Sequence, residues 1–233
     1  MENSEINELQ SFLGPEVLSS GCSLYLPKFL GDVELTPDPS SPPLQYGGGT
    51  FSERDAKAAF YITSILGHVL DSDQIRLEET SKFAPSLGPA QKTAFVFGSR
   101  SNQVTIWATD KLPTGKFCKF EFGEHWRIRC ADGRVFSVPD PSKLETGAYL
   151  NQTDYGVISR LSVPGSGDRL FVIAGLGSRA TEGCGYYFSR HWRQLFERYG
   201  ENDFAAILQF SPPLDATKSE PIAWFGDEVP AFS

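Results

Sequence analysis

The chain has 233 residues, of which 40% are hydrophobic and 21% are charged, as in globular proteins rather than disordered or disulfide-stapled ones. Lysines and arginines number 21 against 29 aspartates and glutamates, which gives a net charge of -8. An acidic chain without a basic face is not expected to bind nucleic acid. The length suits one α/β domain that covers residues 1–233.

The patterns of hydrophobic residues, cysteines and histidines indicate the cellular compartment and whether a metal site is expected. No run of about 18 apolar residues occurs, and the N-terminus is polar and acidic, so we expect a cytoplasmic protein with no membrane partner. The cysteines lack CxxC spacing, as in reduced proteins, although a bridge between Cys118 and Cys130 across a hairpin stays open. The histidines lack metal-binding spacing, so no metal site is expected.

The first half of the chain predicts alternating helices and strands around one long loop. Residues 35–50 contain four prolines and three consecutive glycines, which exclude a helix and a central strand. This loop is either an excursion over the rim of the domain, such as a lid, or a linker. The predicted elements are a helix within 2–18, strands at 22–29, 74–78 and 93–97, and helices at 52–70, capped by Ser52, and at 103–109.

The second half predicts mostly strands. Residues 116–138 alternate between apolar and polar, and Asp132-Gly133 predicts a hairpin turn inside this antiparallel insertion. Further predicted elements are strands at 154–163, 169–175, 204–210 and 221–225, and one helix that ends near residue 199. Together these elements predict a three-layer flavodoxin- or Rossmann-like α/β fold: a mostly parallel sheet, a β-hairpin insertion and an antiparallel C-terminal hairpin.

Two glycine-containing turns follow buried strands and could present main-chain N–H groups to an anion. The stronger candidate, residues 175–181, is named here the Gly175 turn. The other, residues 98–102, is named the Gly98 turn. The predicted ligand-binding residues are Gly98, Ser99, Arg100, Asn102, Tyr155, Gly175, Gly177, Ser178, Arg179 and Thr181. The spacing fits neither a dinucleotide nor a P-loop fingerprint, so the glycines could equally serve only to make tight turns.

Three carboxylates are candidates for chemistry near these turns. Glu182 and Asp154 are the predicted catalytic residues, able to stabilise a developing cation in the cleavage of a glycosidic bond. Asp55, in the first turn of a predicted helix, could bind a ribose or act as a base. Helix capping, turn formation and favourable interaction with the helix dipole are the alternative roles of all three.

A resemblance to a known group depends on five segments: TFSERDAKAAFYITSILG, TAFVFGSRSNQVT, DYGVISRL, RLFVIAGLGSRATEGCGYYF and FAAILQF. Together these segments resemble an uncharacterised bacterial α/β domain found downstream of winged-helix regions in acidobacterial-type regulators. The matching positions are Asp55, Gly98, Asn102, Thr105, Asp154, Tyr155, Gly175, Gly177, Thr181 and Gly185. Unlike that group, this chain is not expected to contain a DNA-binding region, and it reads Ser178-Arg179-Ala180 where a third glycine is usual. The resemblance implies a shared fold and a ligand crevice, with flavodoxin-like sets (TIR-like and SLOG-like) as an analogy of fold alone.

From these features we expect a module that senses a small anionic ligand, a nucleotide or an NAD-derived molecule, and signals to a protein partner or to a second copy of the chain. A role in bacterial regulation or antiphage defence fits this expectation. Two alternatives stay open: a hydrolase of the N-glycosidic bond of NAD or a nucleotide, and a non-catalytic structural subunit whose crevice is filled by side chains.

Overall fold

The computed structural model describes residues 3–29, 50–80, 92–112 and 117–229. The predicted loop at 35–50 therefore lies outside the described residues, apart from Thr50. The helices are α1 Asn3–Leu13, α2 Val17–Ser20, α3 Glu53–Leu66, α4 Gln103–Lys111, α5 Thr146–Leu150 and α6 Ser178–Tyr199. Short 3-10 helices lie at Ser72–Gln74 and Pro141–Lys143.

A seven-stranded mixed sheet forms the centre of this α/β fold. Its order is β12 (Glu220–Gly226), β11 (Phe204–Phe210), β9 (Asp154–Ser162), β10 (Arg169–Gly175), β5 (Thr93–Phe97), β1 (Cys22–Leu26) and β4 (Ile75–Glu79). The strands β10, β5, β1 and β4 are parallel to one another, and β5 and β1 are buried on both faces. This burial explains why both strands are mostly apolar rather than alternating between apolar and polar residues.

The other end of the sheet is antiparallel. This confirms the predicted C-terminal hairpin, formed by β11 and β12, but leaves less of the sheet parallel than the sequence predicts. Strand β9 pairs antiparallel with both β10 and β11, and β11 pairs antiparallel with β12. A short loop joins β9 to β10, so these strands form a hairpin, and two-strand hairpins are necessarily antiparallel. The sheet is therefore parallel at one end only.

The predicted hairpin insertion is a separate antiparallel sheet of three strands. Its strands are β6 (Cys118–Glu121), β7 (His125–Cys130) and β8 (Val135–Pro139). Gly133, with φ of 89°, makes the predicted turn between β7 and β8. Cys118 and Cys130 lie opposite each other in this sheet as free, buried thiols. A two-stranded antiparallel pair is formed by β2 (Lys28–Phe29) and β3 (Thr50–Phe51).

Apolar side chains cover both faces of the central sheet. On one face, α1, α3 and α6 pack on residues such as Phe95, Phe171 and Ile173. On the other face, α4 and the three-stranded sheet pack on Val96 and Val172. Helices α3 and α6 lie so close that a Cβ atom on Gly185 would come within 2.7 Å of the Ala58 Cα atom. This close packing places the N-termini of α3 and α6 side by side.

Candidate functional site

The two glycine turns lie at the same edge of the sheet. Strands β5 and β10 are parallel neighbours, so their carboxyl ends meet at one edge. The Ser99 hydroxyl donates to the Gly175 carbonyl oxygen at 2.6 Å, and the Gly98 N–H donates to the Ile173 carbonyl oxygen at 3.1 Å. These bonds join the two turns directly.

A cavity of about 680 Å³ opens between the turns. One part of its wall is charged or polar and comes from the start of α3, the two turns and the start of α6. The other part comes from the three-stranded sheet and the segment that follows it. The lining residues are Ser52, Arg54, Asp55, Gly98, Ser99, Arg100, Ser101, Trp126, Pro141, Leu144, Tyr149, Leu150, Gly175, Leu176, Gly177, Ser178, Arg179 and Thr181.

The side chain of Asn102 fixes the shape of the Gly98 turn through hydrogen bonds to main-chain atoms. Its Oδ1 atom caps α4 by accepting from the Val104 N–H at 2.9 Å and the Thr105 N–H at 3.3 Å. Its Nδ2 group donates to the carbonyl oxygens of Phe97 and Tyr25. Asn102 is fully buried and does not line the cavity, so it positions the turn rather than a ligand.

Most main-chain N–H groups of the Gly175 turn already have an acceptor within the protein. The Gly175 N–H donates to the Thr181 hydroxyl at 2.9 Å, and the Gly177 N–H donates to Asp154 Oδ1 at 3.1 Å. The Arg179 N–H donates to the Tyr149 hydroxyl at 3.2 Å. The turn therefore differs from the open anion cradle that strand-turn-helix motifs often provide.

Asp154 takes the place that an anion would occupy at the start of α6. Besides the Gly177 N–H, it accepts the Tyr155 N–H at 2.8 Å and the Tyr149 hydroxyl at 2.8 Å. A Cβ atom at Gly177 would overlap the Tyr149 hydroxyl, so glycine is required for this close approach. Burial raises the pKa of Asp154 to about 6, although its hydrogen bonds act in the opposite direction. Burial and the nearby Asp154 carboxylate also raise the pKa of Tyr149.

Three arginines contribute positive charge to the cavity wall. The Arg100 guanidinium lies over the Trp126 ring, 5.2 Å from its centroid. Arg54 forms an ion pair with Glu182. Arg179 lies at the start of α6, and its side chain is partly buried. Arg100 and Arg179 come from different turns, so the two turns together offer two cationic groups to one space.

Asp55 is the carboxylate that faces the cavity. Its side chain lines the cavity while the residue is only 4% exposed. A Cβ atom at Gly98 would lie 3.2 Å from Asp55 Oδ2, which shows how closely the turn backbone approaches this carboxylate. Burial raises the pKa of Asp55 to about 6.

Eight of the predicted ligand-binding residues line the cavity: Gly98, Ser99, Arg100, Gly175, Gly177, Ser178, Arg179 and Thr181. The other two do not. Asn102 lies beneath its turn, and Tyr155 packs against the ring of Phe136 at 5.3 Å. The predicted catalytic residues Asp154 and Glu182 also lie outside the lining, with the partners described above.

Sequence reasoning missed the apolar wall formed by Trp126, Pro141, Leu144, Tyr149 and Leu150. Trp126 alternates with polar neighbours along β7, which indicates a half-buried strand but not the surface that it faces. No local pattern identified the other four as cavity residues, because the three-stranded sheet and α5 reach the site only through tertiary packing.

Comparison with protein-family models, with curated proteins and with solved structures finds no match to this chain. Within residues 3–29, 50–80, 92–112 and 117–229, no helix is both long and apolar enough to cross a membrane. The same residues contain no cluster of three or more histidine, cysteine, aspartate or glutamate side chains suited to a metal ion.

Proposed function

We propose that this chain is a binding module for a small anionic molecule, a nucleotide or an NAD-derived compound, and that it passes occupancy to a partner. The observation that carries the proposal is that Arg100 and Arg179 line one cavity at the ends of two adjacent parallel strands. Open α/β sheets bind ligands at such strand ends. Arginine binds phosphate and carboxylate through charge-assisted, often paired, hydrogen bonds.

In this proposal side chains, rather than main-chain amides, hold the anion. The N–H groups of Gly175, Gly177 and Arg179 already have acceptors, and Asp154 already places a carboxyl group at the start of α6. A ligand anion would have to displace these bonds to reach the amides. The guanidinium groups of Arg100 and Arg179 require no such displacement.

The size and the apolar wall of the cavity support a nucleotide-sized ligand. A volume of about 680 Å³ lies within the range of about 300–1,000 Å³ typical of small-molecule sites. Trp126, Leu144 and Leu150 supply the apolar side, and aromatic rings are common platforms for stacked bases. A ligand with an anionic end and a planar or apolar end suits both walls.

Binding without catalysis is favoured over N-glycosidic hydrolysis by the partners of the two predicted catalytic residues. Glu182 is paired with Arg54, and Asp154 accepts three hydrogen bonds beneath the Gly175 turn. Neither carboxylate lines the cavity. Incubation with NAD followed by chromatography tests the alternative: the proposal expects intact NAD, and release of nicotinamide would establish the hydrolase instead.

The wider context is also part of the proposal. A flavodoxin-like three-layer arrangement, kinship with the bacterial domain of acidobacterial-type regulators, and a role in regulation or antiphage defence all agree with a ligand-responsive module. The partner is another protein or a second copy of the chain. An open cavity of this size argues against the purely structural alternative, in which side chains would fill the crevice.

Thermal unfolding with a panel of anions tests the proposal. The panel contains AMP, ATP, NAD, ADP-ribose and inorganic phosphate. A bound member at one hundred times its Kd should stabilise the protein by about 2.7 kcal/mol. Arg179→Ala should abolish this stabilisation, because it removes one of the two guanidinium groups that are proposed to hold the anion.

The matched control is Arg76→Ala, which removes the same charge from an exposed position on β4 outside the cavity lining. The control variant should retain the full ligand-induced shift. If no panel member stabilises the wild-type protein, or if both variants respond alike, the proposed site is wrong.

A further inference from the structure

Within the described part of the chain, the Asp55 carboxylate has no hydrogen-bond or ion-pair partner. The residue is 96% buried, since 4% of its surface is exposed, and it lines the cavity. The carboxylate oxygens are not among the buried side-chain atoms that lack a hydrogen-bond partner, so they are accessible from the cavity and can accept hydrogen bonds from a ligand.

Helix capping does not supply that explanation. Ser52 caps α3 by accepting the Asp55 N–H at 3.4 Å, which uses the main chain of Asp55 and not its side chain. The reciprocal bond of a capping box, from the Ser52 N–H to the Asp55 carboxylate, is not formed. The side chain instead faces the backbone of Gly98, which has no side chain of its own to intervene.

The surroundings of Asp55 define what it can bind. An ionised carboxylate accepts hydrogen bonds and cannot donate them, so a ligand of Asp55 must bring donors such as hydroxyl groups. The same cavity carries Arg54, Arg100 and Arg179, which favour an anionic ligand over a cationic one. A ligand that binds both Asp55 and the arginines therefore joins an anionic group to a part rich in hydroxyl groups.

We propose that Asp55 accepts hydrogen bonds from sugar hydroxyl groups of the ligand, next to the anionic group that the arginines bind. The inference rests on the proposed function and narrows it: the ligand class is a ribose-containing phosphate, such as a ribonucleotide. One carboxylate has two oxygens and can accept from both hydroxyl groups of a ribose. Gly98 permits this because any side chain there would approach Asp55 Oδ2.

Calorimetric titration with AMP and with its 2′,3′-dideoxy analogue tests the proposal on the full chain. Hydrogen bonds to a charged group are worth roughly 1.5–3 kcal/mol, so the wild-type protein should prefer AMP by about tenfold or more. Asp55→Asn should weaken the binding of AMP and leave the binding of the analogue nearly unchanged. The affinities of this variant for the two molecules should then lie within about threefold of each other. Glu53→Gln, an exposed carboxylate in the same helical turn, should keep the wild-type preference.

Thermal unfolding without ligand separates recognition from a structural role. Asp55→Asn should melt at the same temperature as the wild-type protein or higher, because it removes a buried charge without breaking a hydrogen bond. Two results overturn the inference while the proposed function stands. In the first, Asp55→Asn keeps the wild-type preference for AMP although Arg179→Ala still abolishes binding. In the second, Asp55→Asn melts at a lower temperature than the wild-type protein and binds neither AMP nor the analogue. Absence of any binding to the wild-type protein overturns both proposals.

Discussion

The two glycine turns at the sheet edge each have a buried aspartate, and they use it differently. Asp154 lies beneath the Gly175 turn and accepts hydrogen bonds from Gly177, Tyr155 and Tyr149. Asp55 lies beside the Gly98 turn, lines the cavity and accepts none from the described residues. Burial raises the pKa of both carboxyl groups to about 6. Asp154 therefore has a structural role in the Gly175 turn, whereas the similarly buried Asp55 offers acceptor oxygens to the cavity beside the Gly98 turn.

This difference teaches that a glycine-rich turn before a helix does not by itself define an anion site. Such a turn can bind an anion only where its main-chain N–H groups do not already have acceptors within the protein. In the Gly175 turn the filling group, Asp154, carries the same kind of charge as a ligand would. The ligand-facing chemistry therefore moves to side chains, namely the arginines and Asp55.

The largest expected effect comes from breaking the satisfied turn with Asp154→Ala. The change leaves the N–H groups of Gly177 and Tyr155 and the hydroxyl of Tyr149 without their acceptor. Unsatisfied buried groups cost about 1–3 kcal/mol each, so we expect a loss of about 3–5 kcal/mol in the free energy of unfolding. Urea denaturation followed by circular dichroism measures this loss.

Asp154→Asn is the matched control for that experiment. It keeps one acceptor oxygen for the two N–H groups and disturbs chiefly the bond with Tyr149. We expect it to cost about 1–2 kcal/mol, as one impaired hydrogen bond does. Equal and small losses in both variants would show that Asp154 does not hold the Gly175 turn.

The second prediction concerns the pH dependence of stability. Because the pKa of Asp55 is raised to about 6 in the folded protein from an ordinary value of 3.8, the folded state binds more protons than the unfolded state between these values. Its contribution to stability is full below about pH 4 and is lost as the pH rises through about 6. A shift of about two units corresponds to about 3 kcal/mol.

Asp55→Asn isolates this contribution, since Asp154 and every other titrating group remain. The variant should gain stability relative to the wild-type protein by up to about 3 kcal/mol between pH 4 and pH 7. Denaturant midpoints at half-unit pH steps provide the measurement. A constant difference between the two proteins across this range would mean that the folded-state pKa of Asp55 is not raised. The Arg54, Arg100 and Arg179 side chains, which share its cavity and favour the ionised carboxylate, would then offset the effect of burial.

Much of the local structure could be predicted from the sequence. The Ser52 cap, the buried strand at Thr93–Phe97 and the helix after Gly177 all depend on residues within a few positions of one another. The Asp132-Gly133 turn is similarly local. Strands β5 and β10 are mostly apolar and are each followed by a turn and a helix, as in parallel sheets, so the meeting of the two turns at one edge could also be expected.

The remaining features depend on contacts between distant residues. Asp154 reads as a turn residue before a strand, yet its partner Gly177 is 23 positions away. The hairpin loop at 165–168 indicates the antiparallel pairing of β9 with β10, but the pairing of β9 with β11 joins segments far apart in the sequence and has no local signal. The three-stranded sheet alternates correctly, and nothing in that alternation specifies that Trp126 faces Arg100. Such pairings are set by packing of the whole fold.

The smallest expected effect comes from Gly98→Ala, compared with Gly133→Ala. Both glycines have positive φ, 82° and 89° respectively, so alanine should cost about 1–2 kcal/mol at each. They differ in surroundings: a Cβ at Gly133 meets nothing within 4 Å, whereas one at Gly98 lies 3.2 Å from Asp55 Oδ2. Both variants should lose stability in urea, and Gly98→Ala should lose somewhat more because its methyl group desolvates the Asp55 carboxylate. Gly98→Ala alone should also weaken AMP binding and raise the pKa of Asp55 further. Carboxyl NMR titration and calorimetry measure the two effects, and equal AMP affinity in both variants would separate the Gly98 turn from ligand recognition.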